Sequence, residues 1–396
     1  MKRLFFIFIC LFLLTSCWSR REFNELSIAY GLGIDKEDGE YIVSAQVINP
    51  EQISGQSQQS QGGGSSSPVL LYEERGKTLL HTIRKMSKTS PRKIYVAHLY
   101  ILVIGEKLAK EGLGDTLDFL YRDEEFRNNF YIIIAKDSKA RDILSTATPF
   151  SVSPSEEIFN RLQYSNKNYS PTKATYIKEF ITKTLTDGVE PVVPSILYRK
   201  PNQSGEKDKS VPEPSLPTGN AAAFHNDKLI GWLNENQADT YNIITNNVES
   251  GIYEIKCDEE EKNSSLESYY TKTEIKPIYK EGPKIELQIE MRGTISELNC
   301  NRDIDTEGYR QMEKKFAADF EKRLSDNIKD IQEDIGVDIF GFGREFYRKK
   351  PKIWKKYKDN WNEVFKTMEI DVNVTLQITN TDTIENSYLN KLRGGN

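Results

Sequence analysis

Residues 306–335 read TEGYRQMEKKFAADFEKRLSDNIKDIQEDI. Tyr309, Met312, Phe316, Phe320, Leu324, Ile328, Ile331 and Ile335 recur at spacings of three and four. That period places them on one continuous stripe of a helix from about Thr306 to Ile335. A helix with a single apolar stripe must lay it on another layer, and the flanking sequence supplies strands to receive it. Tyr269–Tyr279 and Lys284–Leu298 read as strands before it. After it, Glu369–Asn380 alternates, with Ile370, Val372, Val374, Leu376 and Ile378 on one face. Between them, Trp354, Tyr357, Trp361 and Phe365 mark a second helix, and the tail from Asn386 reads as frayed.

Upstream, strands and helices keep alternating. Ser27–Ile34 and Tyr41–Ile48 form a hairpin whose turn carries Asp38-Gly39. Residues 51–67 are Gln, Gly and Ser, a solvated loop. A strand is expected near Pro68–Glu73, then a helix over Gly76–Lys88. Tyr95–Ile104 is a dense apolar run, read as one strand buried on both faces. A short helix over Leu113–Tyr121, a strand Phe130–Ala135 and a helix capped by Ser138 and ending at Leu144 follow. Further helices fit Ser155–Leu162 and Thr172–Leu185. Pro191–Tyr198 is extended, and 201–219 is a polar linker rich in Pro, Ser, Lys and Glu. A compact unit comes next: strands Gly219–Phe224 and Lys228–Leu233, helix Asn236–Thr245 and strand Gly251–Cys257. The expected class is therefore α+β, with mixed α/β sheets packed by helices. The expected domains are 17–190, 191–265 and 266–396, behind a removable segment 1–16.

That segment has a clear physical signature. Met1-Lys2-Arg3 is basic, Leu4–Leu14 is unbroken apolar, and Thr15-Ser16-Cys17 closes it. A basic start, a short apolar core and small residues before a cut site define an export signal. The apolar run is shorter than the roughly 17–25 residues that span a bilayer. Leu14-Thr15-Ser16-Cys17 resembles a lipobox, in which the cysteine sulfur takes a lipid before cleavage. Two or more acyl chains on Cys17 would anchor the chain stably, at about 0.8 kcal/mol per buried CH2.

Of the four cysteines, Cys10 leaves with the signal and Cys17 carries lipid; Cys257 and Cys300 remain, as free thiols or as a disulfide. His81, His98 and His225 are scattered without metal-ligand spacing, so no metal site and no cofactor are expected. Net charge is −5, and −7 once Lys2 and Arg3 are gone, which argues against a nucleic-acid partner. No GxSxG, P-loop or HExxH occurs, so the chain is not expected to be an enzyme. An exported cell-wall hydrolase is disfavoured on that ground. Gly341-Phe342-Gly343 reads as a helix stop and sharp turn.

One local feature opposes the overall charge. Between Arg344 and Lys366 nine basic residues face three acidic ones. Lys349, Lys350, Lys355 and Lys356 lie at its centre, as candidate contacts to anionic headgroups or an acidic partner. The other reading is an inward aromatic stripe with lysines snorkelling over it.

Cys17-Trp18-Ser19-Arg20-Arg21-Glu22-Phe23, Gly31-Leu32-Gly33-Ile34-Asp35 and Val47-Ile48-Asn49-Pro50 carry a resemblance. So do Ala222-Ala223-Phe224 to Leu233, Asp338–Gly343 and Pro351-Lys352-Ile353-Trp354 to Trp361. In this order they resemble the Ger(x)C family, the lipoprotein C subunits of spore germinant receptors. Family members carry aspartate where Ser19 stands here. The resemblance implies a non-enzymatic subunit of three mixed α/β domains on the outer face of the spore inner membrane. It implies assembly with receptor A and B subunits and a role in nutrient-triggered germination. Direct binding of a small nutrient by this lipoprotein is the alternative.

Overall fold

A computed structural model describes residues 25–48, 69–146, 148, 151–168, 173–198, 216–256, 263–297, 299 and 306–380. It contains two mixed sheets packed with helices.

The first sheet grows from the hairpin. β1 (Leu26–Glu37) and β2 (Glu40–Ile48) are antiparallel. Asp38 (φ 51°) and Gly39 (φ 77°) both adopt left-handed backbone, as a tight hairpin turn demands. β3 (Val69–Gly76) flanks β2. β4 (Lys93–Tyr95) pairs with the first residues of β1. On the other side of β1 run β5 (Ile101–Gly105), β6 (Tyr131–Lys136) and β7 (Val192–Leu197), all parallel to it. β8 (Thr218–His225) and β9 (Lys228–Leu233) add antiparallel strands at the far edge.

Helices cover both faces, so the central strands are apolar on both sides. Leu102 and Ile104 of β5 join one core with α1 (Leu79–Lys85), α2 (Glu106–Glu111), α3 (Gly114–Arg122) and α6 (Ile177–Thr184). Ile101 and Val103 join the opposite core with α4 (Ala140–Leu144) and α5 (Pro154–Asn168). Gly31 and Gly33 in β1 permit this second layer. A Cβ on Gly31 would lie 2.0 Å from Ser155 Oγ, and one on Gly33 would lie 3.0 Å from Ala140 Cβ.

The second sheet has the order β10 (Gly251–Lys256), β11 (Asn263–Tyr279), β12 (Pro283–Glu297), β13 (Glu369–Asn380). β13 is parallel to β12; the other pairs are antiparallel. α7 (Glu235–Ile244) and α8 (Thr306–Asp334) pack on it. The stripe residues Phe316, Phe320, Leu324, Ile328 and Ile331 of α8 are buried there. α8 also shields the sheet's edge: Glu321 accepts the Val374 N–H and Glu313 the Ile378 N–H, both at 2.8 Å. These carboxylates occupy donors that would otherwise recruit another strand.

Several expectations change. Tyr95–Ile104 is not one strand: β4 and β5 flank a turn in which Val96, Ala97 and Leu99 are nevertheless buried. A buried turn and a buried strand have the same apolar composition. α2 forms where no helix was expected. The aromatic helix after α8 is three short pieces, α9 (Phe342–Lys349), α10 (Pro351–Tyr357) and α11 (Trp361–Thr367). Pro351 breaks the run because it lacks an N–H and sits at the first position of α10. β7 lies beyond residue 190 and pairs with β6, and β11 runs through 265/266.

Candidate functional site

The first expected site, Cys17, lies outside the described residues, as do Cys257 and Cys300. Among the described residues no helix is long and apolar enough to cross a membrane, and no group of three or more His, Cys, Asp or Glu could hold a metal ion.

The basic segment occupies α9 to α11. Trp354, Trp361 and Phe365 point inward, with the two indoles 5.2 Å apart in an edge-on contact. The four lysines divide. Lys349 Nζ pairs with Glu345 at 3.1 Å and donates to the Ile275 carbonyl of β11 at 2.7 Å. Lys356 Nζ lies 5.1 Å from the Tyr357 ring centre and 3.5 Å from Tyr279 Oη. Lys350 and Lys355 are exposed and have no ion-pair partner among the described residues. Tyr347 of α9 is 57% exposed.

Beneath this face lies a feature that sequence reading missed. Asp338 is 1% exposed. Its Oδ1 accepts the N–H groups of Gly341 (2.8 Å) and Phe342 (3.1 Å). Its Oδ2 accepts the Gly343 N–H (2.7 Å) and the Trp361 Nε1–H (2.9 Å). Burial pushes this carboxyl up to about 6 against the pull of those four donors. The Asp338 carbonyl in turn accepts the Glu190 N–H at 2.8 Å, and Gly188 accepts the Arg344 N–H at 3.0 Å. Gly188 (φ 75°) is pressed so closely to the 343–344 backbone that a Cβ there would lie 2.5 Å from Gly343 C. This joint ties the segment entering β7 to the helices packed on the second sheet. Helix α8 stops at Gly336 (φ 67°), whereas Gly341 (φ 82°) opens α9 and Gly343 is a contact glycine. The available signal was an aspartate three to five residues before glycine N–H groups, the spacing of a local carboxylate cap.

A cleft of about 520 Å³ opens beside the joint, lined by Asp187, Glu190, His225, Trp354, Lys358 and Glu363, among others. Glu190 Oε1 lies 2.9 Å from His225 Nδ1, and Oε2 accepts the Asn226 N–H at 2.6 Å. Burial raises the Glu190 carboxyl above its ordinary value.

At the opposite end of the first sheet is a cavity of about 550 Å³. Four of the parallel strands contribute the residues at their carboxyl ends: Asp35–Glu37 from β1, Glu106 and Lys107 after β5, Asp137–Lys139 after β6 and Tyr198 after β7. Asp35 is 6% exposed, and its Oδ1 accepts the Ala140 N–H at 3.1 Å. Burial pushes its carboxyl up to about 6. Gly105 makes room for it, since a Cβ there would lie 2.0 Å from Asp35 Oδ1. Around the rim Lys36 pairs with Glu111 (2.8 Å), Lys110 with Glu106 (2.6 Å) and Lys139 with Glu37 (2.7 Å). Lys107 and Asp137 have no ion-pair partner among the described residues.

Two family models match: the spore germination protein N-terminal domain over residues 19–197, and the spore germination B3/GerAC-like C-terminal domain over 219–382. Spore germination protein KC of Bacillus subtilis is 29% identical, over 93% of this chain and 92% of its own. Spore germination proteins B3 and A3 of the same organism are each 24% identical, over 96% of this chain and 97% and 98% of theirs. The crystal structure of the GerBC protein gives a TM-score of 0.54 at 18% identity, covering 88% of this chain and 97% of that one. That likeness concerns the fold.

Proposed function

The chain belongs to the Ger(x)C family of spore germination proteins, and from that premise we propose that it is the lipid-anchored C subunit of a spore germinant receptor. The carrying observation is that relatives with spore germination names are matched over more than nine-tenths of both chains. In this reading Cys17 bears the lipid and holds the folded chain on the outer face of the spore inner membrane. The chain assembles there with the receptor A and B subunits and contributes to nutrient-triggered germination by contact rather than by catalysis.

The basic face of α9 and α10 fits a surface beside an anionic bilayer. Lys350, Lys352 and Lys355 are available charges on it, while Lys349 and Lys356 are held by Glu345, Ile275 and the tyrosines. A polybasic patch contributes about 1 kcal/mol per lysine near an anionic surface and reinforces a lipid anchor.

A tagged chain recovered from spore membranes should bring down two integral membrane proteins, identified by mass spectrometry. Cys17→Ala should lower its membrane retention and slow germination. Recovery without membrane partners would overturn the receptor reading. Normal germination by Cys17→Ala at normal receptor level would remove the anchor from it.

A second reading gives this chain a ligand of its own. The cavity at the carboxyl ends of four parallel strands favours it.

A further inference from the structure

The parallel strands of the first sheet start at one end of it. Ile101 of β5 is level with Gly31 of β1 and with Tyr131 of β6, and the register of β6 against β7 puts Val192 at the same height. β1 begins beyond them, at Leu26. Leu26 follows Cys17 by nine residues, and nine residues span at most about 30 Å when fully extended. A lipid on Cys17 therefore tethers the chain by this end. We propose that the protein rests on an anionic lipid surface with this end and with the helices α9 and α10 that adjoin it, the carboxyl-end cavity turned away. The proposal rests on the lipid-anchor reading and deepens it, by naming the face and the side chains that enter the headgroup layer.

Apolar tips and cations meet here. Leu185, in the connection from α6 to β7, is 79% exposed. Leu185 and the exposed Tyr347 of α9 each lie three residues from the hydrogen bond between Gly188 and Arg344, so they flank the joint at the start of β7. Tyr176, also exposed, bridges back to Tyr131 at the start of β6, with ring centres 4.5 Å apart. A single exposed leucine is ordinary; its company sets this one apart. From Phe342 to Tyr357 seven basic residues face one acidic residue, Glu345, and Glu345 is taken by Arg348 and Lys349. Arg344, Lys350, Lys352 and Lys355 are exposed and make no ion pair among the described residues. Asp187 beside Gly188 is an exposed acid, and Asp359 beyond α10 faces Lys358 at 3.7 Å, which leaves the excess positive. The segments entering β1, β6 and α6 carry both signs, with Glu25, Glu124, Arg127 and Lys178 exposed, so the positive excess sits on α9 and α10. Exposed leucine and tyrosine beside lysines are the side chains that settle at a headgroup layer, the apolar parts in the boundary and the cations on anionic lipid. An acidic protein would also answer the lysines, but the tether brings the lipid surface to them first. The carboxyl end is built differently, its rim closed by Lys36–Glu111, Lys110–Glu106 and Lys139–Glu37.

Hydroxyl-radical footprinting of the full lipidated chain, in detergent and on vesicles of phosphatidylglycerol with phosphatidylcholine, reads this face directly. Flotation with the vesicles and the mass of the peptide that begins at Cys17 report the anchor separately. Oxidation of Tyr176, Leu185 and Tyr347 should fall severalfold on the anionic vesicles. Leu80, exposed on the first turn of α1 after the carboxyl end of β3, should be oxidised as in detergent. The protection should be lost on phosphatidylcholine alone. It should also be lost when Lys350→Gln, Lys352→Gln and Lys355→Gln are combined, which removes about a hundredfold of surface affinity and keeps the anchor. A lipidated chain that floats with those three side chains as oxidised as in detergent, or with Leu80 protected instead, overturns the orientation and leaves the anchor standing. Protection that survives the triple change or neutral vesicles overturns the choice of an anionic surface. Protection that appears only once receptor subunits are added gives the face to a protein and overturns the proposal. A chain that carries no lipid and does not float overturns the anchor reading and the orientation together.

Discussion

Two buried aspartates, Asp338 and Asp35, sit at opposite ends of the first sheet, and burial pushes both carboxyls up to about 6. Their surroundings differ. Around Asp338 the carboxylate takes four donors, glycine meets glycine, and the adjoining loop is locked to Gly188 and Glu190. Around Asp35 the aspartate itself is committed, but the space above it stays open, and Lys107, Asp137 and Asp142 on its wall make no ion pair among the described residues. A saturated carboxylate is a fastening. An open cavity walled by charges without ion-pair partners is unfinished space. A perturbed carboxyl therefore does not mark function by itself; the deciding observation is whether its surroundings are finished.

The comparison breaks most visibly at the joint. Asp338→Ala strands four buried donors and should cost about 3–5 kcal/mol in urea unfolding. A loss below about 1 kcal/mol would mean that the joint is not a fastening. Gly188→Ala should cost about 2–4 kcal/mol, since its positive φ and the 2.5 Å approach to Gly343 leave no room for a methyl. Titration sharpens the other side. A carboxyl raised above its unfolded value of 3.8 binds its proton more tightly when folded. Its contribution is then greatest at low pH and is lost as pH rises from about 4 to about 6. The stability of the wild type relative to Asp35→Asn should therefore fall over that window, by about 1–3 kcal/mol. A difference that rises with pH would contradict it. The smallest effects belong at the surface. Lys350→Glu with Lys355→Glu should leave stability within about 0.5 kcal/mol and weaken binding to anionic vesicles. Lys349→Glu should instead destabilise the fold, because Lys349 ties α9 to β11.

Much of the fold was legible because it is local. The α8 stripe, the Asp38-Gly39 turn and the β13 strand each declare themselves within one period of the chain. The strand pairing was not. Nothing in the pattern of Val192–Leu197 says that it joins β6 rather than a separate middle unit, because periodicity identifies faces and not neighbours. Both clefts were hidden for the same reason. Asp35, Glu106, Asp137 and Tyr198 share a cavity only through parallel pairing across long separations. Asp338 becomes meaningful only once Gly188 and Trp361 are beside it. The Gly31-Leu32-Gly33 run stood out in the sequence, and its cause is the close seating of α4 and α5 on β1.

One thermal-unfolding series tests the contrast most directly: the wild type, Asp338→Asn and Asp137→Asn. Asp338→Asn should melt lower, because an amide cannot accept all four of the donors aimed at the carboxylate. Asp137→Asn should melt with the wild type, because it borders an open cavity and its left-handed backbone suits asparagine. If Asp137→Asn lowers the melting temperature as much as Asp338→Asn, or Asp338→Asn melts with the wild type, the roles assigned to the two ends of the sheet are wrong.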